Sequence, residues 1–288
     1  MDVRVCIAGV AFTFSAGPGV DAVCLHPDYL PFLDARTASE HGASIHVLAR
    51  AGDDWPQTHP SAWRWESFMW RLGDFSEMGI RLDVRDLIEK KYVPVALLHA
   101  DFGSGDVVVR QRKPRPAFAL NYPEGQIILL NRLAMLQAGL VHSSALVIDG
   151  RGYLFCGRSG AGKTTIARLW KQRGGMLLCD DRNIVRWMNG CPFVCSTPWH
   201  GEDPEVNPVN VPLGGIFHLH QAPENRVEEI PMTQAVARLY ATSLAPFYDR
   251  TSARLVLDGY VRCLDSVPSY DLHFTPDLRA TDAVLRVI

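Results

Sequence analysis

The residues Gly157-Arg158-Ser159-Gly160-Ala161-Gly162-Lys163-Thr164 constrain this chain more than any other stretch. They complete the pattern G-x-x-x-x-G-K-[ST], in which each part has a mechanical job. The glycines let the backbone curl so that successive N–H groups converge on phosphate oxygens. The lysine reaches the outer phosphates, and the threonine hydroxyl can bind Mg²⁺. Such a loop needs a strand before it and a helix after it. Tyr153-Leu154-Phe155-Cys156 is a short apolar run that suits a buried strand. Thr164 to Arg173 suits a helix, stopped by Gly174-Gly175, and the start of that helix adds a dipole favourable to anions. The residues expected to line a bound nucleotide are Gly157, Ser159, Gly160, Ala161, Gly162, Lys163, Thr164 and Thr165.

Two flanking features sharpen this expectation. Met176-Leu177-Leu178-Cys179 reads as a short buried strand ending at Asp180-Asp181, one helix and one strand beyond the loop. In a parallel βαβ arrangement, the loop and these carboxylates lie at the C-terminal ends of neighbouring strands. One carboxylate can then hold Mg²⁺, and the other can accept a proton from an incoming hydroxyl. Upstream, Leu140 to Ile148 reads as a strand, and Asp149-Gly150-Arg151-Gly152 reads as a tight hairpin turn. That hairpin returns His142 to the loop's end of the sheet, where it can orient a phosphate or support a carboxylate.

His142-Ser143-Ser144-Ala145, the loop with Thr165, and Asp180-Asp181 together resemble the catalytic core of the HPr kinase/phosphorylase family. They are similar, more distantly, to ATP-dependent phosphoenolpyruvate carboxykinases. The resemblance covers about residues 120–275. It implies an α/β phosphate-loop kinase core that uses ATP and Mg²⁺ and phosphorylates a hydroxyl, a serine of a peptide or small protein. It assigns Lys163 and the loop amides to the phosphates and Thr164 to Mg²⁺. It makes Asp180 and Asp181 the metal-binding and base-supplying pair, with Asp181 favoured as base and Asp180 as metal partner, and sets His142 beside them. The Glu-x-Arg-Gly signature of HPr kinases is replaced by Ser196-Thr197-Pro198-Trp199-His200-Gly201-Glu202. In this the chain resembles the shorter HPr-kinase-related proteins found with peptide-modifying gene sets, including lasso-peptide kinases, so a precursor peptide is a candidate acceptor. HPr kinases are oligomeric, which implies a homo-oligomer. Glu202 and His200 could bind a second metal or the acceptor. Alternatives are phosphorylation of a small-molecule alcohol and a regulatory module that binds ATP without transferring phosphate.

The remainder reads more simply. Residues 1–115 are expected to form a mixed, strand-rich domain, with strands over Val3–Phe14, Ile45–Ala49 and Val107–Arg112, joined to a 116–288 kinase domain. The basic, proline-containing stretch Arg110-Gln111-Arg112-Lys113-Pro114-Arg115-Pro116 reads as the linker. Trp55, Trp63, Trp65 and Trp70 form either a packed aromatic cluster or a surface that grips the acceptor. A helix is expected over Glu124 to Ala138, stopped by Gly139. His218 and His220 share one face of a strand and read as structural. The net charge of −2 argues against nucleic acid as a partner. No apolar run has the length of a membrane span, and the first residues lack a signal-peptide layout. Seven scattered cysteines fit reduced thiols and a cytoplasmic setting.

Overall fold

The computed structural model describes residues 2–17, 20–33, 44–51, 60–76, 79–109, 118 and 122–288. The chain divides into two compact units, Met1–Arg132 and Leu133–Ile288. The basic stretch 110–116, read above as the linker, lies outside the described residues.

The first unit carries β1 (Val3–Ile7), β2 (Val10–Ala16), β3 (Ser44–Ala51), β4 (Ala62–Glu66), β5 (Trp70–Ser76), β6 (Gly79–Asp86), β7 (Lys91–His99) and β8 (Ser104–Val109). They form one sheet in the order β1-β2-β3-β8-β7-β6-β5-β4. The expected strand Val3–Phe14 is in fact a hairpin. Ala8 and Gly9 adopt positive φ (53° and 73°), which turns the chain so that Val3 faces Phe14. Trp63 packs against the Arg71 guanidinium, 3.9 Å from its ring centroid, with Tyr92 on the same cation at 4.5 Å. Arg71 is in turn fixed by the buried Asp83, at 2.9 Å. Trp65 and Trp70 lie with ring centroids 6.2 Å apart. Three of the four tryptophans thus take part in packing within this sheet, and Trp55 lies outside the described residues.

The helix α1 (Glu124–Met135) ends earlier than expected. Gln137 takes a left-handed φ of 52°, and Gly139 opens the next strand instead of stopping the helix. A side chain at Gly139 would collide with the Tyr260 hydroxyl, so close packing is what requires glycine here.

The second unit contains β9 (Gly139–Ile148), β10 (Arg151–Cys156), α2 (Lys163–Gln172), β11 (Met176–Cys179), β12 (Arg182–Met188), β13 (Cys191–Ser196), β14 (Asn210–Gln221), β15 (Arg226–Glu229), α3 (Met232–Ala241), β16 (Ser243–Leu244), α4 (Arg250–Leu264), β17 (Ser269–Phe274) and α5 (Arg279–Leu285). Asp149 and Gly150, with φ of 48° and 77°, make the tight turn between β9 and β10. β10, β14 and β17 run parallel to one another. Alternation along these strands sends side chains to opposite faces. Phe155, Phe217 and Leu272 pack with Ile166, Leu169 and Trp170 of α2 and with Ala280 and Val284 of α5. Leu154 and Ile216 pack with Ala235 and Leu239 of α3 and Val256 and Tyr260 of α4. Helices therefore cover both faces of the parallel strands. No described helix is long and apolar enough to cross a membrane.

β9 organises this unit. β10 pairs with its residues Ser143–Ile148 on one edge, and β11 pairs with Ala145–Val147 on the other, both antiparallel. The loop strand and the acidic strand are thus parallel to each other but not neighbours, because β9 lies between them. This corrects the adjacent βαβ pairing expected from the spacing. The hairpin turn commits one edge of β9 to β10 and leaves the other edge for β11.

Candidate active site

Cys156 of β10 pairs with Ser143 of β9, and Cys179 of β11 pairs with Ala145. The ends of both strands therefore reach the level of His142, and the glycine-rich loop, the carboxylates and the imidazole meet there. A cavity of about 440 Å³ lies at this level. His142, Ser159, Gly160, Gly162, Lys163, Thr164, Thr165, Asp180, Asp181 and Glu202 all line it. Gly157 and Ala161 instead line a second cavity on the other side of the loop.

The loop has the shape that its glycines permit. Gly160 and Gly162 sit at φ of 79° and 105°, and a side chain at Gly162 would also press on the Phe274 ring. Gln221 donates from Nε2 to the Gly160 carbonyl at 2.7 Å and so pins the loop to the end of β14. Lys163 is only 8% exposed. Its ammonium donates to the carbonyls of Gly157 (2.9 Å) and Arg158 (3.3 Å). Burial lowers its pKa, while Asp181 and the Cys156 thiol oppose that shift and Arg182 adds to it.

The two adjacent aspartates have different surroundings. Asp180 is 4% exposed, and its two oxygens accept the amides of Gly201 (2.6 Å) and Asp203 (2.9 Å). It therefore anchors the segment 199–207, which runs back along β11. That segment is held further by the Asn207 amide on the Leu178 carbonyl and the Asn207 side chain on the Leu177 carbonyl. Lys171 of α2 reaches both Asp203 and Glu205 at 2.7 Å. Asp181 faces the cavity and is more exposed. Its Oδ1 lies 3.4 Å from His142 Nε2, and its Oδ2 lies 2.7 Å from Arg182 Nη1.

Arg182 was not among the residues singled out from sequence. It pairs directly with His142 across β12 and β9, and its Nη1 lies 2.8 Å from His142 Nδ1. A guanidinium can only donate, so Nδ1 accepts and the neutral ring carries its proton on Nε2, facing Asp181. Burial first, then Lys163, lower the His142 pKa. Asp181 raises it, and Arg182 lowers it further. The signal in the sequence was the position of Arg182 immediately after the aspartates, which becomes informative only once β12 is known to pair antiparallel with β9. Asn183, next along, is fully buried. It donates to the Ser143 carbonyl (2.7 Å) and the Cys179 carbonyl (3.1 Å), tying β9 to the ends of β11 and β12.

Magnesium takes oxygen ligands, commonly one or two carboxylates with the rest from substrate phosphates and water. Thr164 and Asp181 offer such oxygens on one cavity, so the donor chemistry fits the ion. Asp180 is engaged by two amides. Glu202 is 74% exposed and 3.3 Å from Arg168 of α2. His200 lies beside its neighbour's carbonyl, with Nδ1 3.2 Å from Gly201 O. No group of three or more His, Cys, Asp or Glu able to hold a metal occurs among the described residues.

No protein-family model matches the chain. No curated protein matches it either. Among solved structures, it is similar to the HPr(Ser) kinase/phosphatase from Coxiella burnetii. The likeness has 16% sequence identity and a TM-score of 0.31, and covers 51% of this chain and 93% of the other. At that level the likeness assigns neither a reaction nor a site.

Proposed function

We propose that the Leu133–Ile288 unit is an ATP-dependent phosphotransferase acting on a hydroxyl, with a serine of a peptide or small protein as acceptor. The observation that carries this reading is the meeting of Lys163, Thr164, His142 and Asp181 on one cavity. A bare anion site would need the loop and the start of α2. It would not need a carboxylate paired with a guanidinium at 2.7 Å and set 3.4 Å from an imidazole nitrogen.

In this mechanism the loop amides and Lys163 cradle the β- and γ-phosphates. The acceptor hydroxyl approaches the γ-phosphorus in line with the bond to the bridging oxygen. A new O–P bond forms, the bond to the bridging oxygen breaks, and ADP leaves with that electron pair. Asp181 accepts the hydroxyl proton. Arg182, ion-paired to Asp181 Oδ2, holds the carboxylate in one orientation, so little reorganisation is needed. Lys163 takes up charge that develops on the phosphate oxygens. Thr164 is the residue that would hold Mg²⁺, which when bound would supply further charge neutralisation at those oxygens.

The test separates binding from chemistry. Asp181→Asn keeps the shape and removes the base, so ATP affinity is expected to stay within a few-fold while transfer falls by roughly 10²–10⁴. Transfer can be followed by phosphopeptide mass spectrometry with serine-containing peptides. Lys163→Ala should abolish ATP binding. Unchanged transfer by Asp181→Asn would show that Asp181 is not the base.

A further inference from the structure

Across the phosphate loop from Asp181 lies the second cavity, about 860 Å³ in volume. It is bounded by the loop, the end of β14 and the C-terminal end of α3. Ser159, Gly160 and Gln221 line both cavities, so the loop is the wall between them. The size is that of a site for an organic ligand, too large for a lone phosphate.

Its chemistry comes from three parallel strands in register. Cys156, His218 and Asp271 are partners on β10, β14 and β17, and His220 pairs with His273 two residues further on. All five side chains share one face of the sheet. His218 is 5% exposed, lines the cavity, and its Nε2 has no hydrogen-bond partner among the described residues. Such a group normally finds a partner, and a ligand edge can be that partner. His220 Nε2 lies 2.7 Å from Asp271 Oδ1, and its ring stacks on His273 with centroids 4.8 Å apart at 20°. Arg238 of α3 ion-pairs with the same Asp271 oxygen. The Asp271 charge is thus spent on its neighbours. The rest of the lining is a flat imidazole surface, apolar Leu219 and Ala241, the Arg158 and Arg238 guanidiniums, and hydrogen-bonding groups on His218, Gln221 and Thr242.

In-line transfer keeps the acceptor and the leaving group on opposite sides of the phosphorus. The acceptor must reach Asp181. Asp180, Asp181 and His142 line the first cavity, and none of the three lines the second. The leaving half of the donor must therefore run away from them, across the loop. We propose that the second cavity seats the nucleoside of the phosphoryl donor, with its base on the His218–His220 face. The proposal rests on reading residues 157–164 as a nucleotide loop. A flat, neutral heteroaromatic ring with hydrogen-bonding edges fits the imidazole surface and supplies a partner for His218.

The test uses the full chain and two probes, Mg·ATP and Mg·tripolyphosphate, by titration calorimetry. Tripolyphosphate has the phosphates but no nucleoside. Ala241→Trp fills the cavity from an exposed position on α3, and His220→Ala removes the stacking surface. Each should weaken ATP by about tenfold or more and leave tripolyphosphate within about twofold. Lys163→Ala should weaken both probes. If the unaltered chain binds neither probe, the nucleotide-loop reading falls and takes this proposal with it. If it binds both, and neither variant weakens ATP, the loop reading survives and the nucleoside assignment is overturned. Lost acceptor turnover with unchanged ATP affinity would overturn it in favour of an acceptor cavity. Ala241→Trp keeps the test decisive if His220→Ala does not fold.

Discussion

At the scale of single residues, burial separates two histidines that look alike in the sequence. His218 and His220 alternate along β14, but His218 is enclosed while His220 reaches Asp271. Desolvation, helped by Arg238, pushes the His218 pKa down to about 4, against an ordinary value of 6.5. A group whose folded pKa is lowered takes up its proton first in the unfolded chain. It therefore costs no stability above about pH 6.5 and takes stability away as the pH falls towards 4. The loss should be on the order of 3 kcal/mol across that window. Urea unfolding at a series of pH values would measure it, and His218→Gln should flatten that part of the curve. An equal slope in the variant would place the pH dependence elsewhere. The sequence showed that the two histidines share a face but not that His218 Nε2 lacks a partner among the described residues while His220 has Asp271, because Asp271 arrives from β17, far along the chain.

At the scale of elements, the acidic pair shows what local pattern leaves out. The motif presents Asp180 and Asp181 as equals, yet one secures the segment 199–207 and the other faces the cavity. Both lie between β11 and β12 and line the same cavity, but only Asp180 is held by two backbone amides. Asp180→Ala removes two charge-assisted acceptors from the Gly201 and Asp203 amides. It should cost about 2–4 kcal/mol in denaturant unfolding and speed hydrogen exchange at the Gly201 and Asp203 amides. Lys171→Ala, which removes partly exposed ion pairs to the same segment, should cost no more than about 1 kcal/mol. If the two variants cost the same, Asp180 is not the main anchor. The strand, loop and helix over 153–173 could be read almost residue by residue, because their signals are local: an apolar run, glycines at the turn, and a stop at Gly174. Arg182 could not, because its role depends on strand pairing.

At the scale of the whole molecule, the order of strands was the least legible property. Spacing correctly implied that the loop and the carboxylates reach the same end of a sheet. It could not reveal that β9 separates their strands, since hydrophobic pattern identifies strands without saying which edges they share. The Met1–Arg132 unit was recognisable as strand-rich, although the hairpin at Ala8-Gly9 was missed. In the second unit, β9 carries pairings with β10, β11, β12 and β16. Asn183 bonds β9 to the ends of β11 and β12. Asn183→Ala would leave the buried Ser143 and Cys179 carbonyls without that donor, and should cost on the order of 3 kcal/mol in urea unfolding. A cost near zero would mean that water or a shifted chain replaces the amide. The site thus works like a vernier. A slip of β9 by one residue would send His142 to the opposite face of the sheet while leaving every strand a strand. Asn183 is the set screw of that scale, and the signature of its loosening would be a protein that keeps its secondary structure and loses its alignment.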